Sequence, residues 1–113
     1  MLFRSQGARL LTVPANFVTH TGKDHWEPLL RARAIENQCY IAAPAQTGQV
    51  FADKPPAYGR SLIVDPWGVV LATAGDEETV IVADIDLARQ DTIRERLPAL
   101  RHRRPDAYRW PAP

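Results

Sequence analysis

The sequence predicts a mixed α/β domain with about five strands and two to three helices. Apolar runs at residues 10–13 and 40–45 flank one amphipathic stretch, which is typical of a β-α-β unit. Further along, short apolar runs separated by turn residues predict a meander of strands that a last helix closes. A chain of 113 residues holds one domain at most.

The first elements are predicted to be a helix end, a strand and a loop. Residues 2–7 fit the end of a helix that Gly7 closes, and residues 10–13 form a short apolar strand. Pro14 stops that strand, since proline has no N–H to donate to a neighbouring strand. Residues 14–23 contain several turn formers and are predicted to be a loop.

The next helix should begin at Asp24. Asp24 fits an N-cap, and Glu27 lies three residues later, as in a capping box. Pro28 then falls within the first turn, where its missing N–H costs little. The helix should end near Asn37 or Gln38.

The apolar face of this helix and the strand after it form the predicted core. Residues at helical spacing give that face, namely Trp26, Leu29, Leu30, Ala34 and Ile35. Residues 40–45 are apolar throughout, which indicates a strand buried on both faces.

The second half predicts a long loop and a hairpin. Residues 46–60 are rich in Gly and Pro, and a loop of this length in a compact domain is often functional. Residues 61–64 and 69–73 form a hairpin, because Asp65-Pro66-Trp67-Gly68 places Asp, Pro and Gly where a type I turn favours them.

A third strand and a helix should complete this half of the chain. Residues 79–85 continue the meander as a strand. Asp86 then caps a helix over residues 87–97, which ends before Pro98.

Composition excludes several classes of partner. The net charge of +1 favours neither nucleic acid nor an anionic membrane, so we expect neither. No apolar run approaches the roughly 20 residues of a membrane span, and the start lacks the apolar core of a signal peptide. Cys39 is the single cysteine, which excludes an internal disulfide and indicates a reducing, cytoplasmic location.

Cys39 is the first candidate for chemistry, with His25 as its base. A thiol nucleophile needs a base within hydrogen-bond reach. A helix between the two residues would hold them roughly 20 Å apart at 1.5 Å per residue, so they cannot form a dyad. Cys39 also opens an apolar strand, where a free cysteine behaves as a small hydrophobe. The structural interpretation is therefore favoured.

A metal site is the second candidate. His20, Asp24 and His25 lie close in sequence, but their spacing matches no metal motif, and Asp24 is better used as a cap. We expect no metal and no cofactor.

Charged clusters give two further candidates. Arg101-His102-Arg103-Arg104, with Tyr108 and Trp110 nearby, could grip phosphates. The cluster is short and the chain is nearly neutral, so a surface or subunit-contact role is favoured. On the first long helix, Arg31, Arg33 and Glu36 could form partly buried pairs that support a site without reacting.

Three sequence blocks resemble a known family. They are HWEPLLRARAIENQCYIAA, YGRSLIVDPWGVVLA and LPALRHRRPDAY, and in this order they resemble the carbon–nitrogen hydrolase (nitrilase) superfamily. The nearest branch is that of the deaminated glutathione amidases and omega-amidase-like proteins. The resemblance runs from about Gly7 to about Tyr108 and aligns with the C-terminal, smaller part of a family member. It implies a partial α-β-β-α sandwich, in which residues 1–113 form the C-terminal portion of a single, incomplete domain.

The resemblance also implies an activity and the position of its catalytic residues. Family members hydrolyse non-peptide C–N bonds of small-molecule amides through a Glu-Lys-Cys triad. All three residues precede the region matched here. Cys39 matches a non-catalytic position, and Lys23 and Lys54, the only lysines, match no catalytic position. We therefore expect no catalytic residue in this chain and no activity from the chain alone.

Supporting roles follow from the same resemblance. Residues next to the family's nucleophile loop should line the substrate pocket, namely Pro14, Ala15, Asn16, Phe17 and Trp26. Residues on and after the long helix should support the site from behind, namely Glu27, Arg31, Arg33, Glu36 and Cys39. Family members dimerise through helices of this half, so a homodimer or pairing with an upstream polypeptide is expected.

Three alternatives remain open at the level of sequence. An upstream polypeptide could supply the triad, which would make this chain one half of a split amidase. The chain could be a non-catalytic dimerisation or regulatory module. It could also be an independent thiol enzyme that uses Cys39, which the helix length disfavours.

Overall fold

A computed structural model describes residues 2–49, 51–104 and 107 of the chain. Its elements run in the order α1 (Leu2–Ser5), β1 (Leu10–Thr12), α2 (Thr19–Asn37), β2 (Tyr40–Ala43), β3 (Thr47–Gly48), β4 (Ala57–Tyr58), β5 (Leu62–Val64), β6 (Val70–Thr73) and α3 (Leu87–Arg96). The predicted mixed α/β class is confirmed.

Strands β1 and β2 are parallel neighbours with α2 as their crossover, so the predicted β-α-β unit is confirmed. They pair in a register that places Leu11 opposite Ile41. The four-stranded sheet continues through β5 and β6 in the order β1-β2-β5-β6, with antiparallel pairing after β2. Parallel strands require a crossover of this kind, since a short turn cannot return the chain to the same end of the sheet.

Helix α2 covers one face of the sheet. Trp26, Leu30 and Ala34 are buried at that contact, and they pack with residues of β2 and β5 such as Ile41 and Leu62. The apolar face is narrower than predicted. Leu29 and Ile35 are 46% and 48% exposed, so they flank the buried stripe without belonging to it.

The predicted start of α2 is wrong. The helix begins at Thr19, and its N-cap is Val18, whose side chain makes no capping hydrogen bond. The preceding loop is therefore shorter than predicted, and Asp24 and Glu27 lie in the helix interior without forming a capping box. Pro28 is also interior, where it cannot donate to the carbonyl four residues earlier.

Tertiary contacts explain this earlier start. The backbone N–H and the side-chain hydroxyl of Thr19 both donate to the carbonyl of Pro56, at 3.2 and 3.0 Å. One turn later, Gly22 is buried against the ring of Tyr58. The β4 segment thus fixes the first turn, a contact that local sequence signals do not show.

The segment predicted as a long loop contains an antiparallel ribbon. Strands β3 and β4 pair Thr47 with Tyr58 and Gly48 with Ala57. The ribbon returns the chain to the amino-terminal end of α2.

The predicted hairpin and its turn are present. The N–H of Gly68 donates to the carbonyl of Asp65 at 2.9 Å, and β5 and β6 pair on either side. The Asp65 carboxylate accepts the N–H groups of Trp67 and Val69, each at 2.9 Å, and Nη2 of Arg89 at 3.1 Å. These bonds satisfy a buried carboxylate, which would be costly to bury without partners.

The predicted third strand of the meander is absent from the described residues. Residues 79–85 carry no strand pairing, and Val80 and Val82 are 86% and 83% exposed. An extended apolar segment becomes a strand only where another strand offers N–H and C=O groups. The helix that follows is close to its prediction, with the carboxylate of Asp86 accepting the N–H of Arg89 at 2.9 Å.

Gly22 provides a test of the contact between α2 and β4. A Cβ at this position would overlap the Tyr58 ring, so Gly22→Ala should lower the free energy of unfolding by about 1–3 kcal/mol. Helix propensity alone predicts the opposite sign, a gain of roughly 0.5–1 kcal/mol. Urea unfolding of the purified chain measures the difference. Gly75→Ala is the matched control, because a Cβ there meets open space. A Gly22→Ala variant as stable as the parent would contradict the packing described.

Candidate functional site

A depression of about 430 Å³ lies at the carboxyl ends of β1 and β2. Six residues line it, three after each strand: Pro14, Ala15, Asn16, Pro44, Ala45 and Gln46. In open α/β sheets, ligands bind outside the carboxyl ends of parallel strands. This position makes the depression the candidate functional site.

The parallel ladder continues past the strands and holds both walls of the depression. Val13 N–H donates to the carbonyl of Ala42 at 2.9 Å, and Ala15 N–H donates to that of Pro44 at 3.0 Å. Gln46 N–H then donates back to the carbonyl of Ala15 at 3.1 Å. The two walls are therefore one rigid extension of the sheet.

The lining is neutral and can bind polar groups without reacting. Asn16 and Gln46 are exposed, and their side-chain amides can each donate and accept hydrogen bonds. The other four lining residues are proline or alanine. None of the six can act as a nucleophile, a proton donor or a general base.

The predicted pocket residues divide into two groups. Pro14, Ala15 and Asn16 line the depression, whereas Phe17 and Trp26 do not. These two aromatic rings pack against each other, with centroids 5.2 Å apart. Trp26 is 2% exposed, and its Nε1–H donates to the carbonyl of Arg60 at 2.7 Å, so its place is in the core beneath this region.

Sequence reasoning did not name the second wall. The sequence predicts Pro44 and Ala45 at the end of a strand and Gln46 in a loop. Parallel pairing in a β-α-β unit brings the carboxyl ends of both strands together, so the residues after the second strand could have been inferred from the same pattern.

Four of the residues predicted to support the site lie on α2, and one of them contacts the turn between β5 and β6. Arg31 donates from Nε to the carbonyl of Gly68 at 2.9 Å and lies 3.6 Å from the carboxylate of Glu27. Arg33 forms an ion pair with Glu36 one turn later. Such exposed pairs contribute at most about 1 kcal/mol each. Among the described contacts, Arg31 ties α2 to the hairpin turn.

Cys39 is sealed in the core at the other end of β2. Its exposure is 0%, and its thiol donates to the carbonyl of Ala8 at 3.2 Å. Nη2 of Arg94 donates to the sulfur at 3.5 Å. Ala45 lies six positions after Cys39 along extended chain, a distance of roughly 20 Å. His25 is exposed in the amino-terminal half of α2, and no described contact joins it to the thiol.

The metal candidate does not form a site in the described part of the chain. No group of three or more His, Cys, Asp and Glu side chains is placed there to hold a metal ion. Arg101 to Arg104 are exposed, while Tyr108 and Trp110 lie outside the described residues. Among the helices described, none is both long and apolar enough to cross a membrane.

Comparison with known proteins identifies the family. The carbon-nitrogen hydrolase family model matches residues 1–95, and the chain belongs to that family. It is 51% identical over 105 residues to the nitrilase and fragile histidine triad fusion protein NitFhit of Caenorhabditis elegans. It is 50% identical over 98 residues to a deaminated glutathione amidase of Synechocystis. These matches confirm the resemblance drawn from the three sequence blocks.

Solved structures confirm the fold. The crystal structure of C. elegans NitFhit superposes with a TM-score of 0.88 and covers 94% of this chain. That of Saccharomyces cerevisiae Nit3, a member of branch 10 of the nitrilase superfamily, gives a TM-score of 0.83 at 35% identity and covers 91% of this chain.

The chain spans a minority of each relative's length. The alignment with NitFhit includes 93% of this chain but 24% of NitFhit. The alignment with the Synechocystis amidase includes 87% of this chain but 36% of that amidase. In the two solved structures it covers 26% of NitFhit and 38% of Nit3.

The burial of Cys39 predicts that its thiol is unreactive while the chain is folded. Labelling by a chromogenic disulfide reagent should be at least about 100-fold slower in the native chain than in denaturant, since each labelling event requires an opening of the core. The rate of thiol release measures this. A chain with both Cys39→Ala and Lys23→Cys is the control, because position 23 is exposed and should react at once. Rapid stoichiometric labelling of the native parent chain would show that Cys39 is accessible.

Proposed function

We propose that this chain forms the C-terminal portion of an amidase domain that hydrolyses non-peptide C–N bonds in small molecules. We propose further that it lacks catalytic competence alone. This lack of competence is inferred from one observation, namely that the Cys39 thiol lies far from the depression. The single cysteine is fully buried at one end of β2, and the depression with its neutral lining lies at the other end.

The contribution of the chain to the reaction is binding and orientation. The amides of Asn16 and Gln46 are suited to hydrogen-bond an amide or carboxylate group of a small substrate. The rigid ladder beneath them fixes that geometry, and a fixed substrate reacts faster because less motion has to be lost at the transition state.

The reactive groups come from polypeptide other than these 113 residues. In this proposal a cysteine attacks the amide carbonyl, a glutamate moves protons, and a lysine stabilises the developing oxyanion. They lie on an upstream stretch of the same polypeptide or on a separate one, as in a split enzyme. Loss of such a nucleophile costs on the order of 10⁶-fold in turnover, which is the physical reason to expect no activity here.

Exposed apolar surface supports a further layer over the sheet. Leu10 of β1 and Leu71 of β6 are 40% and 42% exposed, and the exposed Val80 and Val82 lie in a segment that pairs with no described strand. A second sheet would cover these side chains and pair residues 79–85, which would complete a four-layer sandwich. We expect a cytoplasmic protein, in keeping with its lone reduced thiol.

A second candidate function is a non-catalytic dimerisation module. A groove between α2 and α3 is lined by Ile35, Trp67 and Leu97, which are each between two-fifths and three-fifths exposed. Tryptophan is enriched at interfaces, so this groove favours contact with a second subunit. The two candidate functions are compatible. The groove and the depression share no lining residue, so a second subunit bound at the groove would leave the depression open.

An exchange of segments tests the proposed function. The segment of the Synechocystis deaminated glutathione amidase that this chain matches, 36% of that protein, is replaced by this chain. The chimera should hydrolyse deaminated glutathione or small ω-amides, measured as release of amine or ammonia. The 113-residue chain alone should show none.

Two variants make the outcome specific. Cys39→Ser in the chimera should leave turnover per folded molecule within about threefold, because the thiol only fills the core. Asn16→Ala should weaken turnover by about tenfold if its amide holds the substrate. Robust turnover by the isolated chain that disappears with Cys39→Ser would overturn the proposal.

A further inference from the structure

A second cavity, of about 210 Å³, is lined by three arginines and no acidic residue. It lies where α1, the end of α2, α3 and the segment after α3 meet. Its lining consists of Arg4, Gln38, Arg94, Pro98, Leu100 and Arg101. The cavity is at the amino-terminal end of β2 and is therefore separate from the depression described above.

Two of the arginines donate hydrogen bonds to carbonyl groups at the carboxyl end of α2. Nε of Arg4 donates to the carbonyl of Asn37 at 2.9 Å. Arg94 donates to the carbonyls of Gln38 and Ala8 at distances of 3.0 to 3.2 Å. A helix carboxyl end carries about −0.5 charge, so three guanidinium groups leave an excess of about +2.5 around the cavity.

The rest of their donors are available within the described part of the chain. Nη1 and Nη2 of Arg4, Nη1 of Arg94 and the whole guanidinium of Arg101 have no hydrogen-bond partner or ion pair there. Burial lowers the pKa of Arg94, and repulsion by the positive charge of Arg4 lowers it further. An anion between them would relieve this repulsion.

We propose that this cavity binds a small oxyanion, such as a phosphate or carboxylate group, between Arg4, Arg94 and Arg101. Guanidinium forks match the oxygen spacing of both groups and form charge-assisted hydrogen bonds with them. The volume equals about seven waters at about 30 Å³ each, which accommodates one oxyanion with part of its hydration shell. The basic cluster that follows α3 thereby contributes one arginine to a small-anion site.

Titration calorimetry with inorganic phosphate tests the site at constant ionic strength, with chloride as the balancing anion. The full chain should bind one phosphate saturably, and its unfolding midpoint should rise with phosphate concentration. Sulfate and acetate are titrated in parallel. Binding of sulfate but not acetate indicates a tetrahedral oxyanion, and binding of acetate at similar strength indicates a carboxylate ligand. Either result supports the proposal.

Single substitutions locate the binding. Arg101→Gln and Arg4→Gln should each weaken phosphate binding by about tenfold. The side chain of Arg101 makes no hydrogen bond or ion pair with the described residues, so the Arg101→Gln chain should unfold at the parent midpoint without phosphate. Arg33→Gln is the matched control, because it removes the same charge from an exposed arginine of α2 that does not line the cavity. The proposal would be overturned if none of the three oxyanions bound saturably. It would also be overturned if Arg33→Gln lost as much phosphate affinity as the cavity variants.

Discussion

The parallel ladder between residues 9–15 and 40–46 positions both the depression and the arginine-lined cavity. It begins where Tyr40 N–H donates to the carbonyl of Arg9 at 3.0 Å and ends where Gln46 N–H donates to that of Ala15. The neutral depression lies at its carboxyl end and the arginine-lined cavity near its amino end. Because the ladder is a rigid element with α2 packed across it, the buried thiol near its start cannot approach the depression at its end.

Local sequence signals predicted the elements whose ends are set by local chemistry. The turn at Asp65 to Gly68 and the cap at Asp86 depend on hydrogen bonds within four residues, so composition alone was sufficient. The start of α2 depends instead on Pro56 and Tyr58, more than 30 residues away. Asp24 and Glu27 gave a plausible capping signal, but the contact with β4 extends the helix past them. Residues 79–85 have the composition of a strand and lack a partner in the described chain.

The candidate site was predictable where it follows from topology and missed where it follows from packing. The residues after β1 were named, and the equivalent residues after β2 follow from parallel pairing. The family resemblance predicts Trp26 in the pocket lining, yet its contacts with the Phe17 ring and the Arg60 carbonyl hold it in the core. The arginine-lined cavity depends on Arg4 and Arg101, which lie almost at opposite ends of the sequence, and no local pattern joins them.

The central claim is that the chain contributes a wall of an amidase site while its own cysteine is structural. Mass spectrometry of the segment-exchange chimera, digested after reaction with a haloacetamide, tests this by locating the modified thiol. The account predicts an adduct on a cysteine of the Synechocystis portion and an unmodified Cys39. An adduct on Cys39 that appears in step with loss of turnover would contradict it.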